Sequence, residues 1–138
     1  MRILAVDPGA KRIGLALSDP TASIATPLQI LNHVSRPMDA AAIVQIATEN
    51  GVEKIIVGQS LDEHGVPSLE GRRAARLAAA IRAQSKLKVE LWDEFGTTKA
   101  VLQSQIDLGA PRNKRGGHID QLAATLILQA YLDTRELE

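Results

Sequence analysis

The N-terminal segment constrains the fold more than any other part of the chain. Two apolar runs, residues 2–7 and 13–18, read as antiparallel strands joined through a Pro-Gly turn, and the first run ends on Asp7. An ionised carboxylate at the end of an inner strand is costly unless a positive group lies beside it. A metal ion or a phosphate-bearing ligand would meet that need. Considered alone, however, Asp7 is better explained as a turn-initiating residue before Pro8-Gly9.

The remaining pattern predicts a third strand and then an alternation of helices and strands. The sequence of elements is β-β-β-α-β-α-β-α-α, which indicates an α/β fold with a mixed five-stranded sheet and helices on both faces. At 138 residues, we expect a single domain over 1–138. The predicted elements after the N-terminal pair are strand 25–31, helix 38–50, strand 54–58, a helix capped by Ser68 and reaching 84, strand 87–92, a helix from Thr97 or Thr98 to 108, and a last helix with an apolar stripe from Ile119 to Tyr131.

Composition excludes several classes of function. Aromatic residues make up 2% of the chain, which argues against base-stacking platforms for single strands. The absence of cysteine excludes disulfides, Cys-ligated zinc and thiol catalysis. No signal peptide or membrane-length apolar run is visible, so we expect a cytoplasmic protein without a membrane partner. The formal net charge of +0 gives no indication of a nucleic-acid partner.

Carboxylates occur at two further positions that the predicted fold brings towards Asp7. Asp93-Glu94 follows the last strand, and ligands of open α/β sheets collect at the carboxyl ends of the strands. Alternation separates these two side chains, so only one of them faces the site. Asp120 lies in the first turn of the predicted last helix, on the flank of its apolar stripe. Locally, each position is also compatible with a purely structural role at a strand end or a helix start.

Convergence of the three positions favours a metal site. Carboxylates that meet repel one another, and hard divalent cations such as Mg²⁺ or Mn²⁺ relieve that repulsion with oxygen ligands. Two such ions can activate a water and stabilise the leaving oxygen in phosphodiester cleavage. This chemistry needs no histidine base, serine or thiol. His33 and His64 fall in predicted loops, and His118 is best explained as part of the entry into the last helix.

Clusters of cations suggest where a phosphate backbone would lie. A glycine-containing segment that precedes Asp120 is predicted to be a loop beside the metals, and three arginines of the second helix extend the track. Contacts of this kind position the backbone rather than read bases, so binding would be salt-dependent and structure-selective. Alone, such clusters read as solvated surface. The cations are Arg112, Lys114 and Arg115 in the loop and Arg72, Arg73 and Arg76 on the helix.

With these residues placed, the chain resembles the YqgF/RuvX family of RNase H-like nucleases, essentially from end to end. Each motif is weak by itself, but the ordered set is specific. A middle segment with Val57-Gly58 and Gly65 also matches. The strongest matches are Val6-Asp7-Pro8-Gly9, Lys11-Arg12-Ile13-Gly14, Ser18-Asp19-Pro20, Asp93-Glu94 with Thr97-Thr98, and Lys114-Arg115-Gly116 with Asp120, Ala123-Ala124, Ile127-Leu128-Gln129 and Tyr131-Leu132.

The resemblance implies an RNase H-like fold and a divalent-metal nuclease. By motif position, Asp7, Glu94 and Asp120 would be the catalytic acids that bind two Mg²⁺ or Mn²⁺ ions, with Lys11 and Arg12 added to the substrate-binding cations. The family is associated with processing the 5′ end of pre-16S rRNA in ribosome biogenesis, and with Holliday junction resolution in DNA recombination and repair. The implied partner is structured RNA or branched DNA, and a four-way junction would suit a homodimer.

Two departures from the family pattern keep other functions open. Phe95 and Gly96 replace the usual Arg and bulky apolar residue after the Asp-Glu pair, which removes a phosphate contact. Gln59-Ser60 also replaces an apolar-Pro pair. A non-catalytic nucleic-acid-binding or regulatory module with the same fold is therefore the main alternative. Phosphotransfer is a weaker one, because kinases with a related Asp-x-Gly turn ordinarily close two such domains on a nucleotide.

Overall fold

The structure, a computed structural model, describes residues 1–62, 64–93 and 112–136, and for 112–121 and 136 it describes the backbone only. The helix predicted from Thr97 or Thr98 to 108 lies outside the described residues. No described helix has the length and apolar character needed to cross a membrane. The described elements are β1 (Arg2–Pro8), β2 (Arg12–Ser18), β3 (Ala25–Asn32), α1 (Arg36–Glu49), β4 (Val52–Gln59), α2 (Leu69–Gln84), β5 (Lys88–Asp93) and α3 (Arg112–Glu136).

The five strands form one mixed sheet in the order β3-β2-β1-β4-β5. β1 and β2, and β2 and β3, pair antiparallel, whereas β4 runs parallel to both β1 and β5. This confirms the predicted mixed five-stranded sheet. β3 is an edge strand, and it tolerates Pro27 because a proline on an edge need not donate to a neighbouring strand.

Helices cover both faces of the sheet, and each face has its own apolar core. On one face, Leu4, Val6 and Val57 pack against α1 and α2. On the other, Ile3, Ala5, Ala16 and Ile56 pack against α3. Side chains alternate across a strand, so the two cores use alternate residues of β1. We call these the α1/α2 face and the α3 face.

Two helices begin earlier than the sequence predicts. α1 starts at Arg36 rather than Met38, because Ser35 caps it by accepting the Met38 N–H at 3.3 Å and Pro37 suits the first turn. α3 starts at Arg112, so the segment 112–117 is helical and the predicted loop is wrong. Gly116 and Gly117 each cost about 1 kcal/mol relative to alanine, which weakens a helix without ending it.

Candidate active site

Asp7 lies at the carboxyl end of β1 and on the α3 face. It follows Ile3 and Ala5 in the alternation of β1, and both of these residues are buried beneath α3. Its partner across the antiparallel pair is Gly14, and the side chain is half-buried. The alternation of β1 therefore directs the Asp7 carboxylate to the side of the sheet that α3 covers.

The strands on both sides of β1 place glycines beside Asp7. Val6 pairs with Val57 in the parallel register, which puts the next residue, Gly58, level with Asp7. Gly58 in turn pairs with Trp92 of β5. Asp7 is thus flanked by glycine on both β2 and β4, and neither glycine has a side chain to fill the α3 face at this level. A carboxylate that is half-exposed and bordered by glycines fits an oxygen-ligated cation.

The turn after β1 is held in a conformation that requires glycine. The Gly9 N–H donates to the Arg12 carbonyl at 2.9 Å, and a Cβ at Gly9 would lie 2.4 Å from the same oxygen. The Lys11 carbonyl accepts the His33 N–H at 2.9 Å, which ties the turn to the start of α1. Lys11 and Arg12 are exposed on this turn, so two cations lie close in the chain to the acid of β1.

β5 ends at the same edge of the sheet as β1. Trp92 packs against α3 through an edge-to-face contact with Tyr131, with ring centroids 5.2 Å apart. Asp93 is exposed and pairs with Gln59. Alternation directs Asp93 away from the α3 face that Trp92 occupies. Glu94 lies outside the described residues.

α3 runs from the carboxyl ends of the parallel strands towards their amino ends. Near its end, Arg135 lines a cavity with Met1, Val52 and Lys88, residues at the beginnings of β1, β4 and β5. Asp120 precedes Arg135 by about 22 Å of helix, from a rise of ~1.5 Å per residue. Arg2 to Asp7 spans about 16 Å of strand at ~3.3 Å per residue. The backbone of Asp120 therefore lies towards the carboxyl end of β1, and its side chain is outside the described residues.

Two polar anchors fix α3 on the sheet. The Gln129 side chain accepts the Ala25 N–H and donates to the Ser23 carbonyl, each at 3.0 Å. The Lys54 ammonium bonds to the Tyr131 hydroxyl and forms an ion pair with Glu90 at 2.5 Å. Burial lowers the pKa of Lys54, but the hydrogen bonds that its ammonium donates to Glu90 and Tyr131 outweigh burial and raise the pKa overall. These contacts fix the second half of α3 on the sheet. The first turns of α3 lie towards the carboxyl ends of the parallel strands.

The other acids in the predicted motifs have structural roles. Asp19 accepts backbone N–H groups from Ser23 at 2.8 Å and Ile24 at 2.9 Å, and the Thr21 hydroxyl also bonds to it. The Thr21 hydrogen bond, followed by those from Ile24 and Ser23, holds the pKa of Asp19 well below its usual range. Among the residues with described side chains, no group of three or more His, Asp or Glu could hold a metal ion. Of the three predicted metal ligands, only Asp7 has a described side chain.

The arginine cluster of α2 lies across the sheet from Asp7. Arg72, Arg73 and Arg76 are exposed on a helix whose buried side packs on the α1/α2 face. They do not share a face with the acid, so a phosphate track from one to the other has to pass around the sheet edge. The side chains of Arg112, Lys114 and Arg115 lie outside the described residues, and only their helical backbone is described.

Sequence reasoning did not identify a second polar cluster at the same edge. Asp39 is 5% exposed, and it bonds to the His33 ring at 2.5 Å and accepts the Val34 N–H at 3.0 Å. With Arg36 and Arg73, this pair lines a cavity beside the Pro8–Ala10 turn. Ser35-Arg36-Pro37 is a helix-start signal that would have placed Asp39 in the first turn of α1. Nothing in the sequence indicates that α2 would complete the cavity.

Comparisons of the sequence with known proteins identify a family. The family RuvX, described as Holliday junction resolvase, matches residues 1–134. A protein of Koribacter versatilis (strain Ellin345) named "Putative pre-16S rRNA nuclease" is 36% identical over 141 residues, covering 99% of this chain and 90% of that protein. A protein of the same name from Desulforamulus reducens is 34% identical over 134 residues, covering 97% of this chain and 98% of that protein.

Solved structures show the same fold at low sequence identity. RuvC of T. thermophilus in complex with a Holliday junction substrate has a TM-score of 0.57 at 16% identity and covers 96% of each chain. The Fowlpox virus resolvase in complex with Holliday junction DNA has a TM-score of 0.54 at 14% identity, covering 97% of this chain and 98% of that one. The sheet order and the helices on its two faces are therefore those of the RuvC-like, RNase H-type nuclease fold.

Proposed function

The chain belongs to the RuvX family, and from this premise we propose that it is a divalent-metal-dependent nuclease that hydrolyses phosphodiester bonds in structured nucleic acid. We propose that the whole chain forms one such domain and acts in the cytoplasm. The observation that carries the proposal is the position of Asp7, which lies on the α3 face at the edge where β5 also ends and towards which the first turns of α3 extend.

The alternation of β5 supports Glu94 rather than Asp93 as the second acid. Trp92 packs on the α3 face, level with Asp7, and Asp93 is the next residue along the strand. If the alternation continues for one further residue, Glu94 returns to the side of Trp92 and Asp7. Asp93 would then face the opposite side. The strand pattern alone does not decide between Asp93 and Glu94, and the position of Trp92 favours Glu94.

Helical spacing supports Asp120 as the third acid. Ala124 and Ile127 are fully buried against the α3 face. Asp120 lies four residues before Ala124, which puts it on the same side of α3 one turn nearer the edge. A carboxylate there lies one turn beyond Ala124, towards the end of β1. It would meet Asp7 without entering the apolar core.

The residues present fit a hard divalent cation. Asp7, Glu94 and Asp120 would supply oxygen ligands only, and the strand residues level with Asp7 on β2 and β4, Gly14 and Gly58, bring no side chain of their own to the site. These acids would hold Mg²⁺ or Mn²⁺, and a pair of such ions, when bound, supplies an activated water and stabilises the leaving oxygen. The carboxylates would hold the ions that position the scissile phosphate, and Trp92, which is level with Asp7, packs edge-to-face on Tyr131 beside the site.

Cations around the edge would bind the nucleic-acid backbone. Lys11 and Arg12 project from the turn that follows Asp7, and Arg112, Lys114 and Arg115 belong to the first turns of α3. Such contacts neutralise phosphates without reading bases. The names of the relatives favour pre-16S rRNA as substrate, and the family description favours a Holliday junction. Symmetric cleavage of a four-way junction would require a homodimer.

A cleavage panel tests the proposal. The substrates are a precursor of 16S rRNA, a four-way junction, a flap and a single strand, each with Mg²⁺ or Mn²⁺. Asp7→Asn should lower cleavage by more than about 100-fold. Removing a residue that only hydrogen-bonds to a metal ligand already lowers metal affinity or activity by about 10–100-fold. Asp133→Asn, which alters an exposed acid near the other end of α3, is the matched control and should cleave normally.

The replacement of the family's usual Arg by Phe95 favours a second candidate function. In that case the chain binds nucleic acid without cutting it. Salt-sensitive binding that Asp7→Asn leaves unchanged, together with no cleavage under either metal, would establish this function and reject the nuclease. Cleavage that persists undiminished in purified Asp7→Asn would reject the proposed site while leaving a nuclease elsewhere in the chain.

A further inference from the structure

A second concave site lies on the other side of the β1 turn. The cavity has a volume of about 500 Å³ and lies on the α1/α2 face, among the Pro8–Ala10 turn, the start of α1 and the middle of α2. This volume is within the ~300–1,000 Å³ typical of small-molecule sites. Pro8 follows Asp7 directly, so the cavity and the candidate metal site share one turn and open at the same edge of the sheet.

The cavity combines an apolar wall with unpaired cations. Ile13 and Leu77 are 2% and 5% exposed and form part of its apolar lining. Arg36 and Arg73 also line it, and neither guanidinium has a hydrogen-bond or ion-pair partner among the residues that the structure describes. Two guanidinium groups beside an apolar wall are suited to a ligand that has both a planar apolar part and a phosphate.

Asp39, the one acid among the described residues that line the cavity, is already hydrogen-bonded within the protein. Asp39 bonds to Nδ1 of His33 and to the Val34 N–H, so its charge is satisfied within the protein. The bond also fixes the His33 ring and leaves Nε2 as its remaining polar atom. The His33 N–H is in turn bound to the Lys11 carbonyl of the β1 turn. The lining residues that the structure describes therefore present cations and one oriented imidazole to a ligand, and their one carboxylate is already bound within the protein.

We propose that this cavity binds one nucleotide of the nucleic-acid strand that is cut at the candidate metal site. The base would lie against Ile13 and Leu77, and its phosphate would be held between Arg36 and Arg73. The identity of the bound strand rests on the proposed function. The binding of a nucleotide in the cavity does not depend on it. The site would hold an unpaired nucleotide next to the scissile phosphate and so would favour branched or single-stranded ends over continuous duplex.

The test separates the cavity from the metal site. Adenosine 5′-monophosphate, adenosine and inorganic phosphate are titrated in EDTA and followed by amide chemical shifts. The monophosphate should shift Gly9, Ala10 and Arg36 and bind at least about tenfold more tightly than either fragment. Arg73→Gln and Arg36→Gln should each weaken it about tenfold or more. Lys86→Gln, which removes the same charge at the opposite edge of the sheet, should leave it unchanged.

Three results would overturn the proposal. In the first case, inorganic phosphate binds as tightly as the monophosphate does, and in the second, Arg73→Gln and Lys86→Gln weaken monophosphate binding equally. In the third case, the monophosphate binds tightly but Arg73→Gln leaves the affinity for a flap substrate in EDTA unchanged, which would make this a site for free nucleotides. Because no step requires metal or cleavage, a chain that cuts nothing can still confirm the cavity, and an active nuclease can still lack it.

Discussion

The two faces of the sheet bring opposite chemistry to the end of β1. On the α3 face, glycines of β2 and β4 border Asp7, and Trp92 of β5 packs at the same level. On the α1/α2 face, Arg36 and Arg73 border a cavity in which Asp39, the one acid among the described lining residues, is bound by a histidine. The turn after β1 separates the two faces. A carboxylate on one face and two guanidinium groups on the other suit a phosphate chain that crosses this end of the sheet, provided that a cation lies beside Asp7.

Matched core substitutions give the largest expected effects and test whether the faces are functionally distinct. Ile127 of α3 and Ile81 of α2 are both fully buried, so each Ile→Ala should lower the free energy of unfolding by about 2–5 kcal/mol. Urea denaturation measures this loss. At a temperature where both variants are folded and with saturating substrate, Ile127→Ala should reduce cleavage more than Ile81→Ala, because α3 carries Asp120. Equal loss of cleavage in the two variants would contradict the distinction.

Gly9→Ala disturbs the turn that the faces share. The new Cβ would lie 2.4 Å from the Arg12 carbonyl, so the turn must move, at a cost of about 1–3 kcal/mol. Both cleavage and monophosphate binding should decline, whereas substitutions confined to one face should affect one of them. Unchanged monophosphate binding in Gly9→Ala would show that the cavity does not depend on this turn.

Ser18→Ala sharpens the comparison by changing the α3 face far from Asp7. Ser18 is 2% exposed and accepts the buried Ile3 N–H at 2.8 Å. Loss of the hydroxyl leaves that N–H unsatisfied and should lower the free energy of unfolding by about 1–3 kcal/mol. Cleavage at a permissive temperature should stay at the wild-type level, as measured alongside Ser23→Ala, whose hydroxyl lies in an exposed loop. A cleavage defect in Ser18→Ala but not in Ser23→Ala would contradict this expectation, and it would mean that the active site includes the part of the α3 face around Ser18.

The smallest expected effect concerns pH and the loop that supports Gln129. Hydrogen bonds from Thr21, Ile24 and Ser23 depress the pKa of Asp19 in the folded state. The ionised Asp19 therefore stabilises the folded state above the unfolded pKa of about 4, and this stabilisation is lost as the pH falls below that value. Asp19→Asn should show a shallower decline of the melting temperature between neutral and acid pH. If the melting temperatures of the wild type and Asp19→Asn decline in parallel, Asp19 does not account for the loss of stability in acid.

Much of the sheet was predictable because its signals are local. The β-branched run at residues 54–58 and the alternation of β1 depend on neighbours in sequence, so the strands, their order of appearance and the face of Asp7 could be predicted. Even the bounds of β1 differ by only one residue from those expected. The start of α1 was predicted two residues late because the apolar pattern begins at Met38, after the cap at Ser35 and Pro37.

The rest could not be predicted because it depends on elements distant in the chain. The cavity needs the β1 turn, the first turn of α1 and Arg73 of α2 together, and only the packed fold brings them to one place. Likewise, the anchoring of Tyr131 by Lys54 joins positions far apart in sequence. Residues 112–117 were predicted as a loop because two glycines lower helix propensity, a preference that the long apolar stripe of α3 overrides.

The most direct measurement replaces Mg²⁺ with Fe²⁺ and maps where hydroxyl radicals cut the protein backbone. If Asp7, Glu94 and Asp120 hold the same ions, mass spectrometry should find cuts in three separate segments, around residues 7, 94 and 120. Excess Mg²⁺ should suppress all three, and Asp7→Asn should abolish them together. Cuts around only one of these segments, or a cutting pattern that Asp7→Asn leaves unchanged, would contradict a shared metal site.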